Sequence, residues 1–199
     1  MTSPPALSIR SNMLRFARSL SVVLIVAGSA AAQDPGRNRQ LVPAAERGDA
    51  AEVRRLIAAG ADVNWQDEKH DSAFLVASAR GHAEVVKLTL AAGANLKSTN
   101  RYGGTALIPA CHYGHVETVK VLLATAIDVD HVNHLGWTAL LEAVILGDGG
   151  PKHVEIVRLL LARGANPNIA DREGVSPLAH ATRRGYAELA RLITTAGGR

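Results

Sequence analysis

The sequence predicts an all-α fold built as a stack of helix pairs, and three observations carry that prediction. Gly48, Gly81 and Gly114 recur every 33 residues, and Gly60, Gly93 and Ala126 repeat the same interval. The segments ERGDAAEVRRLIAAGADVN, ARGHAEVVKLTLAAGANLK and HYGHVETVKVLLATAIDVD share one pattern, and DREGVSPLAHATRRGYAELARLITTAGG is a further copy. Aromatic residues make up only 4% of the chain, so its core must be assembled from small aliphatic side chains. A fixed period of this length marks one supersecondary unit, stacked so that neighbours bury each other's apolar faces.

Within each unit the elements follow in order. Ser72, Thr105, Thr138 and Ser176 precede an apolar run, where a hydroxyl accepts from free backbone N–H groups at a helix start. Ala73, Ala106, Ala139 or Pro177 then opens the helix. Gly48, Gly81, Gly114, Gly147 and Gly185 close it with a residue that tolerates positive φ. A second helix follows with helical apolar spacing, as in Val116, Val119, Leu122 and Leu123. Gly60, Gly93, Gly164 and Gly197 end that helix, and Asp62, Asn95, Asp128 and Asn166 begin the turn into the next unit.

This period and wording resemble the ankyrin repeat family over about residues 34–199. The resemblance implies an ankyrin-repeat solenoid of about five helix-turn-helix units with β-turn or hairpin connections. The units fall at about 34–66, 67–99, 100–132, 133–170 and 171–199. The family's TPLH wording appears here as SAFL, TALI, TALL and SPLA, so its histidine is missing in these copies. The first copy has no recognisable hairpin cap and reads as a polar N-terminal capping unit, with Arg47, Asp49, Arg54 and Arg55 facing water.

The fourth copy is longer than the rest. His115 to His153 spans 38 residues where 33 is expected, and the excess is Asp148-Gly149-Gly150-Pro151-Lys152. GDGGPK invites comparison with a phosphate-binding loop. A Walker loop, however, needs Ser or Thr after its lysine and a preceding strand, and a dinucleotide fingerprint needs a further glycine. The segment is expected to be an elongated turn between two helices.

Residues 1–32 are expected to be a signal peptide. Arg15 and Arg18 supply a positive region, Leu20 to Gly28 a short apolar one, and Ala30, Ala31 and Ala32 the small residues of a cleavage site. The apolar run is shorter than the ~18–20 residues that span a bilayer. Translation starts at Met1 or Met13, and an uncleaved anchor holding the stack at the inner membrane is the alternative. Residues 1–32 hold Arg10, Arg15 and Arg18 and no acidic residue, so their loss lowers the formal charge from +4 to +1. A balance so near neutral gives no argument for nucleic acid or an anionic membrane as partner. The chain has a single cysteine, Cys111. It sits in an apolar run and reads as a small buried hydrophobe.

No nucleophile, base and orienting acid are brought together by spacing, so no catalytic residue, cofactor or metal is assigned. His82, His115 and His153 occupy one repeat position, where a structural hydrogen bond is expected. Glu84, Glu117, Glu155 and Glu188 follow near a helix N-terminus, where a carboxylate is favoured by the helix dipole. The competing reading is a metal or small-molecule site built from His112, His115, His131 and His134, although two such pairs still need a further ligand.

The resemblance implies a non-enzymatic module that binds a partner protein through its hairpin tips and first-helix face. Carried over by position, the hairpins contribute Glu68, Lys69 and Asp71, then Arg101 and Tyr102. The fourth and fifth contribute His134, Leu135 and Trp137, and Arg172 and Glu173. The first helices contribute Arg80, then His112 and Tyr113, then Ile145 and Leu146, and finally Arg183 and Arg184. Trp137, an aromatic flanked by apolar and arginine side chains, is the expected anchor. In its leader and its insertion the chain resembles exported bacterial ankyrin proteins. The leader implies a periplasmic protein and the likeness an accessory role in peroxide defence; nothing in the repeat pattern demands a dimer, so a monomer is expected.

Overall fold

The computed structural model describes residues 35–199; the expected leader, its cleavage after residue 32 and both candidate start sites lie outside them. Ten helices follow in order: α1 (Pro35–Glu46), α2 (Ala50–Ala58), α3 (Ala73–Arg80), α4 (Ala83–Ala91), α5 (Leu107–His112), α6 (Val116–Leu123), α7 (Ala139–Ile145), α8 (Pro151–Ala162), α9 (Pro177–Arg183) and α10 (Ala187–Thr195). The described residues contain no strand. None of these helices is long and apolar enough to cross a membrane.

Odd-numbered helices pack on one another in one layer, and even-numbered helices in a second. Each pair buries its aliphatic face between its neighbours. Val53, Val86, Val119, Val157 and Ala181 are all fully buried, and among the described residues Phe74 is the one fully buried aromatic ring. Cys111 is fully buried too, and burial drives its thiol pKa up, so it is a small hydrophobe and not a reactive thiol.

The repeated punctuation has clear physical roles. Ser72, Thr138 and Ser176 accept from the backbone N–H three residues on, at 3.3, 3.2 and 3.3 Å. Asp62, Asn95, Asp128 and Asn166 each accept from the N–H two residues on, at 2.9 to 3.0 Å. The connection that follows closes on itself. The N–H groups of Asp67, Asn100, Asn133 and Asp171 donate to the carbonyls of Asp71, Gly104, Trp137 and Val175.

Three local expectations are corrected. Thr105 does not cap α5, which begins at Leu107 with Ala106 at its N-cap and no side-chain capping bond. Pro109 has no N–H to reach the Thr105 carbonyl four residues back. The Ile108 N–H takes that carbonyl at 3.2 Å instead, and the Thr105 hydroxyl is left buried without a partner. Gly147 is not left-handed as Gly48, Gly81, Gly114 and Gly185 are; what requires glycine there is space, since a Cβ would lie 2.2 Å from the Ala143 carbonyl oxygen.

The insertion is the third. Only Asp148, Gly149 and Gly150 form the enlarged turn, whereas Pro151 and Lys152 start α8. Proline is favoured at this position because its fixed φ suits the first helical turn and its missing N–H costs nothing there. α8 is therefore 12 residues long, against 8 for α6. Asp148 folds back to accept from the Gly150 N–H at 2.8 Å and to meet His153 Nδ1 at 2.8 Å.

Candidate functional site

The histidines that recur in the repeat are fasteners between units. His82 Nε2 lies 3.0 Å from the Glu46 carbonyl, His115 Nε2 3.1 Å from that of Ala79, and His153 Nε2 2.9 Å from that of His112. Each ring thus satisfies a carbonyl left open at the end of the preceding unit's first helix. In the fifth unit Tyr186 stands in this position and its hydroxyl donates to Gly147 O at 3.1 Å. These contacts bear on the histidine-site alternative. His115 is committed to Ala79, and His131 to the Gly103 carbonyl at 2.7 Å. His134 lies over Gly103, so close that a Cβ there would sit 2.5 Å from its ring. Among the described residues no three His, Cys, Asp or Glu side chains converge in a way that could hold a metal ion.

The hairpin tips and the ends of the first helices enclose a groove of about 400 Å³ across units one to four. Tyr102 and Leu135 stand on its hairpin wall, and Tyr113 and Leu146 on its helix wall. Their fractional exposures are 53, 48, 57 and 42%. Val132 is the remaining large apolar side chain exposed to this degree among the described residues, so four of five line one groove. Tyr113 stacks on His112 with ring centroids 4.1 Å apart, and the Arg101 guanidinium lies 4.9 Å above the Tyr102 ring. Both tyrosines are held in place by neighbours within the fold.

The charged groups of the groove are partly paired. Arg80 bridges to Glu46 at 2.6 Å, and Arg101 lies 3.6 Å from Asp71. Burial, and then the neighbouring Asp67, raise the Asp71 pKa above the ordinary carboxylate value, while Arg101 opposes the shift. Glu142 is sunk in the floor at 5% exposure. Its Oε1 accepts from Asn133 Nδ2 at 3.1 Å, and its Oε2 is 3.5 Å from His112 Nδ1. Burial lifts the Glu142 pKa to about 7, with the Asn133 bond opposing. Burial, and then His153, lower that of His112.

The candidate residues therefore divide. Arg80, Arg101, Tyr102, His112, Tyr113 and Leu135 come together in the groove. Trp137 is half-buried, and its backbone is tied to Asn133 through both its N–H and its carbonyl; it does not line the groove. Arg184 is used by the fold, because its guanidinium caps the Val144 and Ile145 carbonyls at the end of α7. Arg172 packs its side chain over Gly136, Arg183 is exposed, and His134 is exposed at the fourth tip. Glu142 was missed by sequence reasoning. The equivalent positions hold Val76, Pro109 and His180, so a carboxylate in that register was the available signal.

A stack of helix pairs with an open groove along its hairpin side is the architecture of a recognition scaffold rather than of an enclosed reaction centre. The chain matches the family "Ankyrin repeats (3 copies)" over residues 41–133 and 126–198, and it belongs to that family. The crystal structure of an ankyrin repeat domain from Acinetobacter baumannii AYE is similar, with a TM-score of 0.78 and 53% identity, covering 80% of this chain and 81% of that one. The ankyrin repeat protein EF0377 superposes with a TM-score of 0.75 at 38% identity, covering 77% of this chain and 78% of the other. YahD of Escherichia coli (strain K12), named as an ankyrin repeat protein, is 48% identical over 56 residues, a match that spans 28% of each protein. Ankyrin repeats are in general protein-binding modules without catalytic activity.

Proposed function

We propose that this chain is a non-enzymatic protein-binding module whose partner enters the groove between Tyr102, Tyr113, Leu135 and Leu146. The observation that carries the reading is the gathering of four exposed large apolar side chains at one groove, a pattern expected of an interface and not of a bare surface. Tyr102 and Tyr113 serve as its anchors, with Trp137 and the exposed Arg172 and Arg183 outside the groove. The resemblance to exported proteins supports a periplasmic location and an accessory role in peroxide defence, and a repeat pattern that demands no dimer supports a monomer. An intact mass beginning at Gln33 would establish export with cleavage, and a mass retaining the leader would favour the anchored form.

The test is a cross-linked pull-down from the periplasmic fraction with the native chain, Tyr113→Ala and Trp137→Ala. Loss of the same protein with Tyr113→Ala and its retention with Trp137→Ala support the groove. Retention with Tyr113→Ala and loss with Trp137→Ala would move the site to the flank. Truncation of a true anchor is expected to cost about 2 kcal/mol or more of binding.

A further inference from the structure

We infer that the groove is built to receive a lysine or arginine side chain of the partner, seated between Tyr102 and Tyr113 with its charge at Glu142. The inference rests on the groove being the partner site and adds the chemistry of its occupant. The charged groups lining the groove are three carboxylates, Glu46, Asp71 and Glu142, two guanidiniums, Arg80 and Arg101, and one histidine, His112. Arg80 is taken by Glu46 and Arg101 lies against Asp71. Glu142 is the carboxylate without a cation. Asn133 offers it one neutral N–H, and His112 stands at 3.5 Å, beyond a good hydrogen bond, in surroundings that disfavour its charged form.

A carboxylate that is nine-tenths buried with one weakly served oxygen costs free energy unless a donor or cation meets it. The fifth unit shows what the register does when such a pair is complete. There the helix position holds His180 and the turn position Asp171, 2.6 Å apart, and each satisfies the other. In the fourth unit the same two positions hold Glu142 and Asn133, so the acid is on the helix and meets a neutral amide at the turn, with His112 at 3.5 Å as its one nearby ring. The open groove gives a partner access to that floor. The two exposed tyrosine rings at its mouth suit the aliphatic stem and the charged head of lysine or arginine, through apolar contact and cation–π attraction. An acidic side chain from the partner would instead meet Glu142 with like charge.

The test uses the full chain as bait for a displayed library of random twelve-residue peptides. Binders are then measured against the native chain, Tyr113→Ala and Glu142→Gln. Glutamine keeps an acceptor for Asn133, so this variant is expected to fold. The expected result is peptides that need Tyr113 and carry a lysine or arginine. Replacing that residue by norleucine should weaken binding to the native chain by about tenfold or more, as loss of a charge-assisted bond predicts. On Glu142→Gln the same replacement should matter less than about twofold, because the charge partner is already gone. The norleucine comparison on the native chain holds even where a variant folds poorly. Peptides that need Tyr113 but are indifferent to norleucine and to Glu142→Gln would overturn the cation inference and leave the groove reading standing. Peptides indifferent to Tyr113→Ala, or failure of any peptide to enrich, would overturn both.

Discussion

Thr118 and Glu142 are buried polar side chains in registers that several other units fill with apolar residues. At the register of Thr118 the second, fourth and fifth units place Val85, Ile156 and Leu189, all fully buried. The Thr118 hydroxyl is buried with no hydrogen-bond partner. Thr118→Val keeps the shape and removes that orphan group, so it should stabilise the fold by about 1 kcal/mol, read as a higher urea midpoint at unchanged slope. Glu142 makes the complementary case through pH. Its folded pKa of about 7 lies above the ordinary value of 4.5, so the folded state holds the proton more tightly than the unfolded chain does. The folded state is then favoured most below pH 4.5, and that stability is lost as pH rises through about 7. At pH 8, Glu142→Gln should be more stable than the native chain by about 2 kcal/mol, with little difference at pH 4. Thermal unfolding of both proteins at the two pH values checks this. An equal offset at both would mean that the carboxylate charge is not what the burial penalises.

At the scale of elements, the unit boundaries depend on rings lying over glycines. Gly81 ends α3 in the left-handed region at φ 78°, and a Cβ built there would lie 2.5 Å from the His115 ring. Gly60 has φ 90° and nothing within 4 Å. Gly60→Ala should therefore cost only the conformational penalty of about 1 kcal/mol, whereas Gly81→Ala must also displace His115 from the Ala79 carbonyl and should cost about 3 kcal/mol. Paired chemical denaturation measures the difference, and equal losses would mean that the ring moves freely. These elements were readable because caps and glycines act locally: Ser72, Thr138 and Ser176 were marked by the side chain that makes the bond. Thr105 looked the same in sequence and fails, because the outcome turns on whether Pro109 four residues later can donate. The insertion was readable as an excess of five residues, but not its division between turn and helix, which Pro151 decides. The groove was legible in its walls, since Tyr102, Tyr113 and Leu135 fall at positions the repeat leaves free. Its floor was not, because Glu142 lies on a helix face that the pattern assigns to the core. For Trp137 the size of the ring was legible, but not the two bonds to Asn133 that fix its backbone, nor its half-buried place beside the groove.

At the scale of the stack, the main packing of each described unit is on its neighbours, α7 on α5 and α9 and α8 on α6 and α10. Stability in such a stack is a sum of unit and interface terms, so removal of one end subtracts from the total without abolishing the fold. Deleting residues 171–199 should leave the remaining units helical while lowering the denaturant midpoint. The denaturant slope should fall by about one fifth, in proportion to the surface no longer exposed on unfolding. The groove residues run from Glu46 to Leu146 and belong to the units retained. Binding should survive the deletion, with one local consequence: the carbonyls of Val144 and Ile145 lose the Arg184 guanidinium that caps them, next to Leu146 on the groove wall. Any peptide shown to bind should therefore keep its affinity for the shortened chain within about threefold, the loss of a single exposed contact. A tenfold loss would show that the α7 end must be clamped by the fifth unit for the groove to hold its shape. Complete unfolding on deletion would mean that the stack stands only as a whole.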